Sequence, residues 1–343
     1  MTVVIPENPL WFGLTALRLK DIVFKKEKFR QQGGAMRLIT RADFDGLVCA
    51  MLLREIGIVN EYLFVHPKDM QDGKIKVTNN DALANVPYAL GCALWFDHHS
   101  SEQERLQLSS SFKFKGASRS TLSCARVIYD YYGGVSVFKK FDTSGLMQAV
   151  DKCDSADFTT GEILEPQGWT LLSFILDART GLERYKGYRI NHQELMLNLI
   201  NFCQSMSIED ILRAIDVRER VDRYIKQQEA YKTMLNAHCR TEQNLIIIDF
   251  RNLEEMVSGN RFIEYALYPQ QNVSVRAMWG REKQNIVLTA GHSIITRTCN
   301  TDVGSLMLMY RGGGHRKVAA CQVPAEDADR VFTEIINLLK KNG

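Results

Sequence analysis

The sequence lacks the features that define several protein classes. None of its eight cysteines forms a Cys-x-x-Cys pair, so the spacing gives no indication of a structural zinc site, and reduced thiols are expected. The longest apolar stretch, residues 88–96, is about half as long as a membrane span. Residues 1–10 lack the basic and apolar regions of a secretory signal. A cytoplasmic protein with no membrane partner is therefore expected.

The net charge is also small, at +3 over 343 residues. Binding to duplex DNA requires a concentrated basic face, which this balance does not indicate. Hydrophobic residues make up 45% and charged residues 24% of the chain, as in ordinary globular proteins. The length is typical of two domains, and the sequence contains no internal repeat or low-complexity tract.

Strand and helix patterns alternate in both halves of the chain. Residues 1–34 are predicted to form an extension that ends at two glycines. Short apolar strands and helices then alternate, which predicts an α/β domain with a parallel sheet over residues 35–188. Helical spacing dominates residues 189–240, a predicted linker. Residues 241–343 return to alternation and are predicted to form a smaller C-terminal α/β domain.

Asp43 and Asp45 follow the first apolar strand, and Gly46 opens the next helix. Ligands of open α/β sheets bind at the carboxyl ends of the strands. Two carboxylates placed there repel each other unless a cation or a basic group lies between them. The alternative is that the aspartates cap the helix or a turn, and this segment alone leaves both interpretations open.

A second polar group, Asp97-His98-His99, also follows an apolar strand. Consecutive side chains of an extended segment point in different directions, so one histidine could bind a metal while the other faces a substrate. The alternative is a surface loop with a capping aspartate. Asp81 is predicted to end a short strand over residues 77–81, and residues 150–157 contain further acids.

Three glycines near the C-terminus, Gly312 to Gly314, allow backbone N–H groups to approach a phosphate closely. His315, Arg316 and the upstream Arg297 could add charge-assisted hydrogen bonds. The alternative is a flexible glycine-rich turn before the strand predicted over residues 318–323.

In this order, the segments resemble the DHH phosphoesterases. The resemblance rests on the Asp-x-Asp-Gly and Asp-His-His segments and on Gly-Gly-Gly-His, which is similar to a loop of the DHH-associated C-terminal domain. Residues 296–300 resemble the substrate-binding arginine segment of that domain. The resemblance covers about residues 35–340. The superfamily includes RecJ-type exonucleases, nanoRNases, family II inorganic pyrophosphatases and exopolyphosphatases.

The resemblance implies a site for two Mn²⁺ or Mg²⁺ ions that activate water for attack on phosphorus. Asp43 would hold one ion, Asp45 the other, and Asp81 would bridge both. The implied metal ligands are Asp43, Asp45, Asp81, His98 and either Asp151 or Asp154. The implied catalytic residues are Asp97, His98 and His99, with Asp97 a ligand or an orienting group and His99 facing the substrate. The implied substrate-binding residues are Arg297, Gly312, Gly313, Gly314, His315 and Arg316. Arg41, which stands where the family usually has a histidine, could also bind the substrate phosphate.

One feature departs from the family. The histidine that usually stands four or two residues before the first aspartate is replaced by Ile39 and Arg41. Neither can act as an imidazole ligand, so one ion is predicted to be held weakly. The expected function is hydrolysis of short oligonucleotides or nucleotide phosphates. Cleavage of polyphosphate or pyrophosphate, and phosphate or nucleotide binding with weakened catalysis, are the alternatives, and a homodimer is one expected assembly.

Overall fold

The computed structural model describes residues 36–99, 102 and 114–342. The predicted N-terminal extension lies outside the described residues. Contacts divide the chain into two compact units. The first unit contains the described residues up to Asp151 together with Met196–Ser205, and the second contains Lys152–Leu195 and the residues from Met206 onward.

The first unit is built on a five-stranded sheet in the order β2-β1-β3-β4-β5, in which every pairing is parallel. Its strands are β1 (Met36–Arg41), β2 (Val59–Val65), β3 (Asp81–Ala84), β4 (Leu94–Asp97) and β5 (Gly116–Ser118). Most side chains of β1 and all of those of β3 and β4 are buried, as expected when helices cover a parallel sheet. The predicted α/β class and parallel sheet are confirmed.

The helices of this unit are α1 (Phe44–Glu55), α2 (Pro67–Gln71), α3 (Cys124–Tyr131), α4 (Val135–Thr143) and α5 (Leu146–Asp154), of which α5 ends in the second unit. Helix α1 begins at Asp43, whose side chain accepts a hydrogen bond from the Gly46 amide, because the first amides of a helix have no partner within it. Its first ten residues are all buried. Apolar residues on every side of a helix indicate that it is surrounded by protein.

The strand register brings several chain segments to one edge of the sheet. Thr40 in β1 lies beside Ala84 in β3, and Ala84 lies beside Phe96 in β4. The residues that follow these strand ends therefore emerge at the same carboxyl edge. This is the edge where α/β proteins bind ligands.

The second unit begins with a helical part. Its helices are α6 (Thr160–Leu164), α7 (Gly168–Leu176), α8 (His192–Ser205), α9 (Ile208–Arg213) and α10 (Ile215–Ala237), of which α8 runs from this unit into the first. Residues 152–188 were expected in the first domain but group here. The Phe174 and Phe158 rings pack against Phe262, and Asn260 Nδ2 donates to the Ile163 carbonyl at 3.2 Å.

The second unit also contains a six-stranded sheet in the order β10-β11-β9-β8-β7-β6. Only the β7–β8 pairing is parallel among its described strands. The strands are β6 (Cys239–Glu242), β7 (Leu245–Asp249), β8 (Val273–Trp279), β9 (Ile286–His292), β10 (Gly313–His315) and β11 (Val318–Val323). The helices are α11 (Ile263–Leu267), α12 (Val303–Leu308) and α13 (Ala328–Asn342).

Among the helices of the described residues, none is long and apolar enough to cross a membrane.

Candidate active site

Asp43 is surrounded by donors at the carboxyl edge of the first sheet. Its Oδ2 lies 2.9 Å from Nε of Arg41, and its Oδ1 accepts from the Gly46 amide at 3.0 Å and from Asn85 Nδ2 at 3.2 Å. A Cβ at Gly46 would lie 1.9 Å from the Arg41 carbonyl oxygen. The turn that places Asp43 therefore requires glycine at this position.

Asp45 lies in the first turn of α1 and is almost fully buried, with 2% of its surface exposed. Its two oxygens accept hydrogen bonds from the backbone amides of Cys124 and Ala125 at 2.9 and 2.8 Å, at the start of α3. Burial raises the pKa of the Asp45 carboxyl, His98 opposes that rise, and the neighbouring Asp43 adds to it. A cation would offset both the lost hydration and the repulsion between the two aspartates.

The Asp97-His98-His99 segment places its two imidazoles in different surroundings. His98 Nδ1 lies 3.3 Å from the Thr121 carbonyl. Because a carbonyl only accepts hydrogen bonds, this contact favours the tautomer with the proton on Nδ1. His98 Nε2 lies 3.9 Å from Asp45 Oδ2, which is too long for a hydrogen bond and compatible with two ligands of one cation.

Asp97 is fully buried and is engaged with His99. Its Oδ2 accepts a hydrogen bond from the His99 backbone amide at 2.9 Å, and its Oδ1 lies 3.0 Å from His99 Nδ1. Hydrogen bonds of this kind fix the tautomer and the ring orientation of a functional histidine. Of the two roles predicted for Asp97, the contacts favour that of the orienting group.

The structure does not bring Asp81 to these residues. It begins β3 instead of ending a strand, so the predicted strand over residues 77–81 is wrong. Asp81 pairs in register with Arg37 at the start of β1, and its Oδ1 accepts from Arg37 Nε at 2.7 Å. Four strand residues of about 3.3 Å each separate it from the carboxyl edge, roughly 13 Å.

Asn85 follows the carboxyl end of β3, a position that the sequence interpretation missed. Its Nδ2 donates to Asp43, while its buried Oδ1 has no hydrogen-bond partner among the described residues. A buried amide oxygen without a partner is uncommon and costs free energy. The missed signal was the apolar triplet directly before Asn85, which forms most of β3. The sequence interpretation had placed the strand over residues 77–81 instead.

The two candidate acids of α5 differ in their surroundings. Asp151 is buried, and its oxygens accept from Ser123 Oγ at 2.7 Å and from Arg126 Nε at 2.9 Å. It is therefore already paired with a cation of the protein. Asp154 is the last residue of α5 and is exposed.

The donor set of Asp43, Asp45, His98 and Asn85 fits a divalent metal ion. Carboxylate, amide and imidazole groups are ligands that Mn²⁺ and Mg²⁺ accept, and the Asn85 oxygen lacks a protein partner. The thiols of Cys49 and Cys124 also lie near Asp45. Burial raises the pKa of Cys49 well above its usual range and that of Cys124 to about 12.

The predicted glycine loop of the second unit is part of a β-hairpin. Gly313 to His315 form the edge strand β10, paired with β11, and Arg316 lies exposed in the turn. Gly312 donates its amide to the Met307 carbonyl at 2.9 Å. Gly314 has a φ of +151°, and a Cβ there would lie 2.5 Å from Ala319 Cα. The close approach of the two strands requires glycine at this position.

Arg297 lies in the same unit with a φ of +50°. Its guanidinium contacts the Asp157 carboxylate at 2.7 Å and the Ile294 carbonyl at 2.7 Å. Half of the side chain is exposed. A left-handed conformation is uncommon for a side chain other than glycine, and such residues concentrate at functional sites.

No family model matches the sequence, and no curated protein matches it. The fold is similar to that of a pGpG-specific phosphodiesterase from Vibrio cholerae, with 44% identity, a TM-score of 0.75, and coverage of 90% of this chain and 100% of that chain. The chain belongs to the DHH phosphoesterase superfamily. It is thus a hydrolase of phosphoester bonds.

A DHH-domain protein described as a member of the s1p family of ribosomal proteins shares the DHH fold at 11% identity, with a TM-score of 0.54 and coverage of 98% of this chain and 93% of that chain. This chain departs from the family pattern given above, because it carries Arg41 in place of a histidine. Asn85, a neutral amide, follows the strand end beside Asp43. Asp81, the acid that the resemblance assigned to the bridging position, lies at the opposite edge of the sheet.

Proposed function

We propose that this chain is a metal-dependent phosphodiesterase that hydrolyses short oligonucleotides, with linear dinucleotides such as pGpG as the substrate class. The observation that carries the proposal is the convergence of Asp43, Asp45 and His98 at the carboxyl edge of the first sheet. The similarity to a pGpG-specific phosphodiesterase extends over the full length of that protein, which supports the dinucleotide over polyphosphate or pyrophosphate.

Mn²⁺ or Mg²⁺ would be held by Asp43, Asp45 and His98, with the Asn85 amide oxygen as a further ligand. We retain Asp154 as the acid of α5 in this set, because one of its carboxylate oxygens lies within 4.8 Å of the ligand atoms of Asp45 and His98. When bound, the metal supplies an activated water and stabilises the leaving oxygen. Arg41 already neutralises part of the Asp43 charge, which supports one strong and one weak ion.

The remaining residues act on the phosphate and on protons. Asp97 holds His99 through Nδ1, and His99 would exchange a proton with a substrate oxygen. The other N–H groups of Arg41, together with Arg297, Arg316, His315 and the glycine hairpin, would bind phosphate oxygens. Guanidinium groups suit this task because they form paired, charge-assisted hydrogen bonds with phosphates.

The test is hydrolysis by the purified full chain of pGpG, longer oligonucleotides, polyphosphate and pyrophosphate, with Mn²⁺, Mg²⁺ or EDTA. We expect metal-dependent release of mononucleotide from pGpG, and loss of at least about a hundredfold in rate for Asp45→Ala. The Asn80→Ala variant, at an exposed residue outside the candidate site, should keep the full rate. Faster cleavage of polyphosphate than of pGpG would overturn the assigned substrate class.

A binding protein with weakened catalysis is the second candidate. The Arg41–Asp43 ion pair and the neutral Asn85 favour it, because both reduce the negative charge that attracts a metal. In the same assay, binding of pGpG without metal-dependent turnover would support this candidate over the enzyme.

A further inference from the structure

The second unit contains a cavity of about 350 Å³ that none of the residues discussed above lines. It is formed by the end of α7, the irregular segment between α7 and α8, the start of α8 and one turn of α10. Its volume lies at the low end of the range for ligand pockets, about 300–1,000 Å³. A cavity of this size suits a mononucleotide better than a dinucleotide.

The most buried charge on the cavity wall is Arg220, whose side chain is 4% exposed. Its guanidinium donates to the Asp216 carbonyl at 2.7 Å, to the Ile190 carbonyl at 2.7 Å and to Glu219 at 2.9 Å. These bonds account for three of its five N–H groups. The described residues accept no hydrogen bond from the other two, and a buried guanidinium favours an anionic ligand, although Glu219 already offsets part of this charge.

Two tyrosines give the cavity an aromatic wall. The Arg220 guanidinium lies 4.2 Å from the centroid of the Tyr188 ring, and the Arg223 guanidinium lies 4.4 Å from that of Tyr185. These cation–π contacts hold the rings in place. The buried Tyr188 hydroxyl has no hydrogen-bond partner among the residues that the structure describes. Fixed rings of this kind are the surfaces on which nucleobases stack.

The rim of the cavity carries groups of both charges. Lys186 and the Glu183 side chain are exposed, and Glu183 Oε1 lies 3.4 Å from His192 Nε2. A lysine at the mouth adds a second cation for a phosphate. A carboxylate accepts hydrogen bonds from the amino and ring N–H groups on the Watson–Crick edge of guanine, whereas adenine presents an acceptor at its ring nitrogen.

We propose that this cavity binds a purine nucleoside monophosphate, with its phosphate at Arg220 and Lys186, its base against the tyrosines, and a preference for guanine given by Glu183. The proposal does not depend on the proposed hydrolysis, because none of these residues belongs to the metal or phosphate groups described above.

The test is calorimetric titration of the full chain with GMP, AMP and inorganic phosphate in the presence of EDTA. We expect one GMP per chain, with AMP and phosphate binding more weakly by at least about tenfold. Lys186→Glu should weaken GMP binding by at least about tenfold, and Glu183→Gln should reduce the difference between GMP and AMP. Lys226→Glu, the same charge reversal at an exposed residue of α10 outside the cavity, should change nothing.

Three outcomes would overturn the proposal. GMP binding that is unaffected by Lys186→Glu, or that is lost in Arg297→Ala instead, would place the ligand elsewhere. Equal binding of GMP and phosphate would reduce the cavity to an anion site. Absence of GMP binding at millimolar concentration, in a chain that hydrolyses pGpG when metal is added, would reject this site while leaving the proposed function intact.

Discussion

Asn85 illustrates how a single side chain sets the charge of the candidate metal site. It lies at the carboxyl end of β3 in a left-handed conformation, with a φ of +56°, which asparagine tolerates better than most residues. Its amide stabilises the Asp43 carboxylate without adding a charge. The metal-free site therefore carries less repulsion than a set made only of acids would.

We predict that Asn85→Asp has opposite effects without and with metal. In EDTA the new carboxylate faces Asp43, and the free energy of unfolding should fall by about 1–2 kcal/mol. With Mn²⁺ the added charge should raise metal affinity and the melting temperature should exceed that of the parent chain. Thermal unfolding in both conditions measures this, with Asn80→Asp at the other edge of the sheet as the matched control. An equal change in both conditions would contradict the assignment.

The two acids of α5 offer a second contrast between single residues. Asp151→Asn leaves the partly buried Arg126 without its charge partner, so the free energy of unfolding should fall by about 1–3 kcal/mol while Mn²⁺ affinity is kept. Asp154→Asn should lower Mn²⁺ affinity more than Asp151→Asn does. Denaturant unfolding and metal titration of both variants test this, and the reverse pattern would make Asp151 the ligand.

At the scale of elements, the β10–β11 hairpin depends on the glycine content of its edge strand. Gly312 and Gly314 lie where a Cβ would overlap the backbone of β11, whereas a Cβ at Gly313 would meet no atom within 4 Å. The three glycines thus have different roles. Two permit the close approach of the strands, and the third leaves open space on the exposed side of the hairpin.

We predict that Gly314→Val weakens substrate binding by at least about tenfold, because a branched side chain at φ +151° distorts the hairpin. Metal affinity should stay unchanged, since the proposed ligands lie on other elements. Gly313→Ala is the matched control and should bind substrate almost normally. Substrate and Mn²⁺ titrations compare the variants, and an equal loss of both affinities in Gly314→Val would argue against separate roles.

At the scale of the whole molecule, a partly buried ion group joins distant parts of the second unit. Asp177 lies 2.7 Å from Arg179 Nε and 3.4 Å from Arg261 Nε. Burial alone would raise the pKa of Asp177, but the two arginines outweigh it and hold this pKa well below its usual range. A depressed carboxyl pKa stabilises the folded state above the unfolded pKa of about 3.9, and this stabilisation is lost as the pH falls toward the folded pKa.

The free energy of unfolding should therefore decline as the pH falls below about 4, and Asp177→Asn should remove part of that decline. Urea unfolding at pH 7 and at acidic pH values, followed by fluorescence, measures the slope. Asp210→Asn, at an exposed residue of the same unit, should keep the slope of the parent chain. An unchanged slope in Asp177→Asn would show that other carboxyls account for the acid sensitivity.

The α/β class and the parallel sheet could be predicted because apolar runs of four to six residues alternate with helical spacing, a local property of the chain. Asp43, Asp45, Asp97 and His98 were predicted as site residues for the same reason, since each follows or ends an apolar strand. Asp81 was placed at the wrong end of a strand because β3 consists mainly of small residues, which give only a weak strand pattern. The end of β3 before Asn85 was missed for the same reason.

Local patterns in the chain are thus enough to specify its alternation of strands and helices and the acids that follow β1 and end β4, because these depend on neighbouring residues. Long-range contacts, which no local pattern contains, settle the rest. Parallel register pairs Asp81 with Arg37 and separates it from Asp43. Packing pairs Asp151 with Arg126 and groups residues 152–188 with the second unit. The cavity around Arg220 likewise exists only because segments about thirty residues apart in the chain meet there.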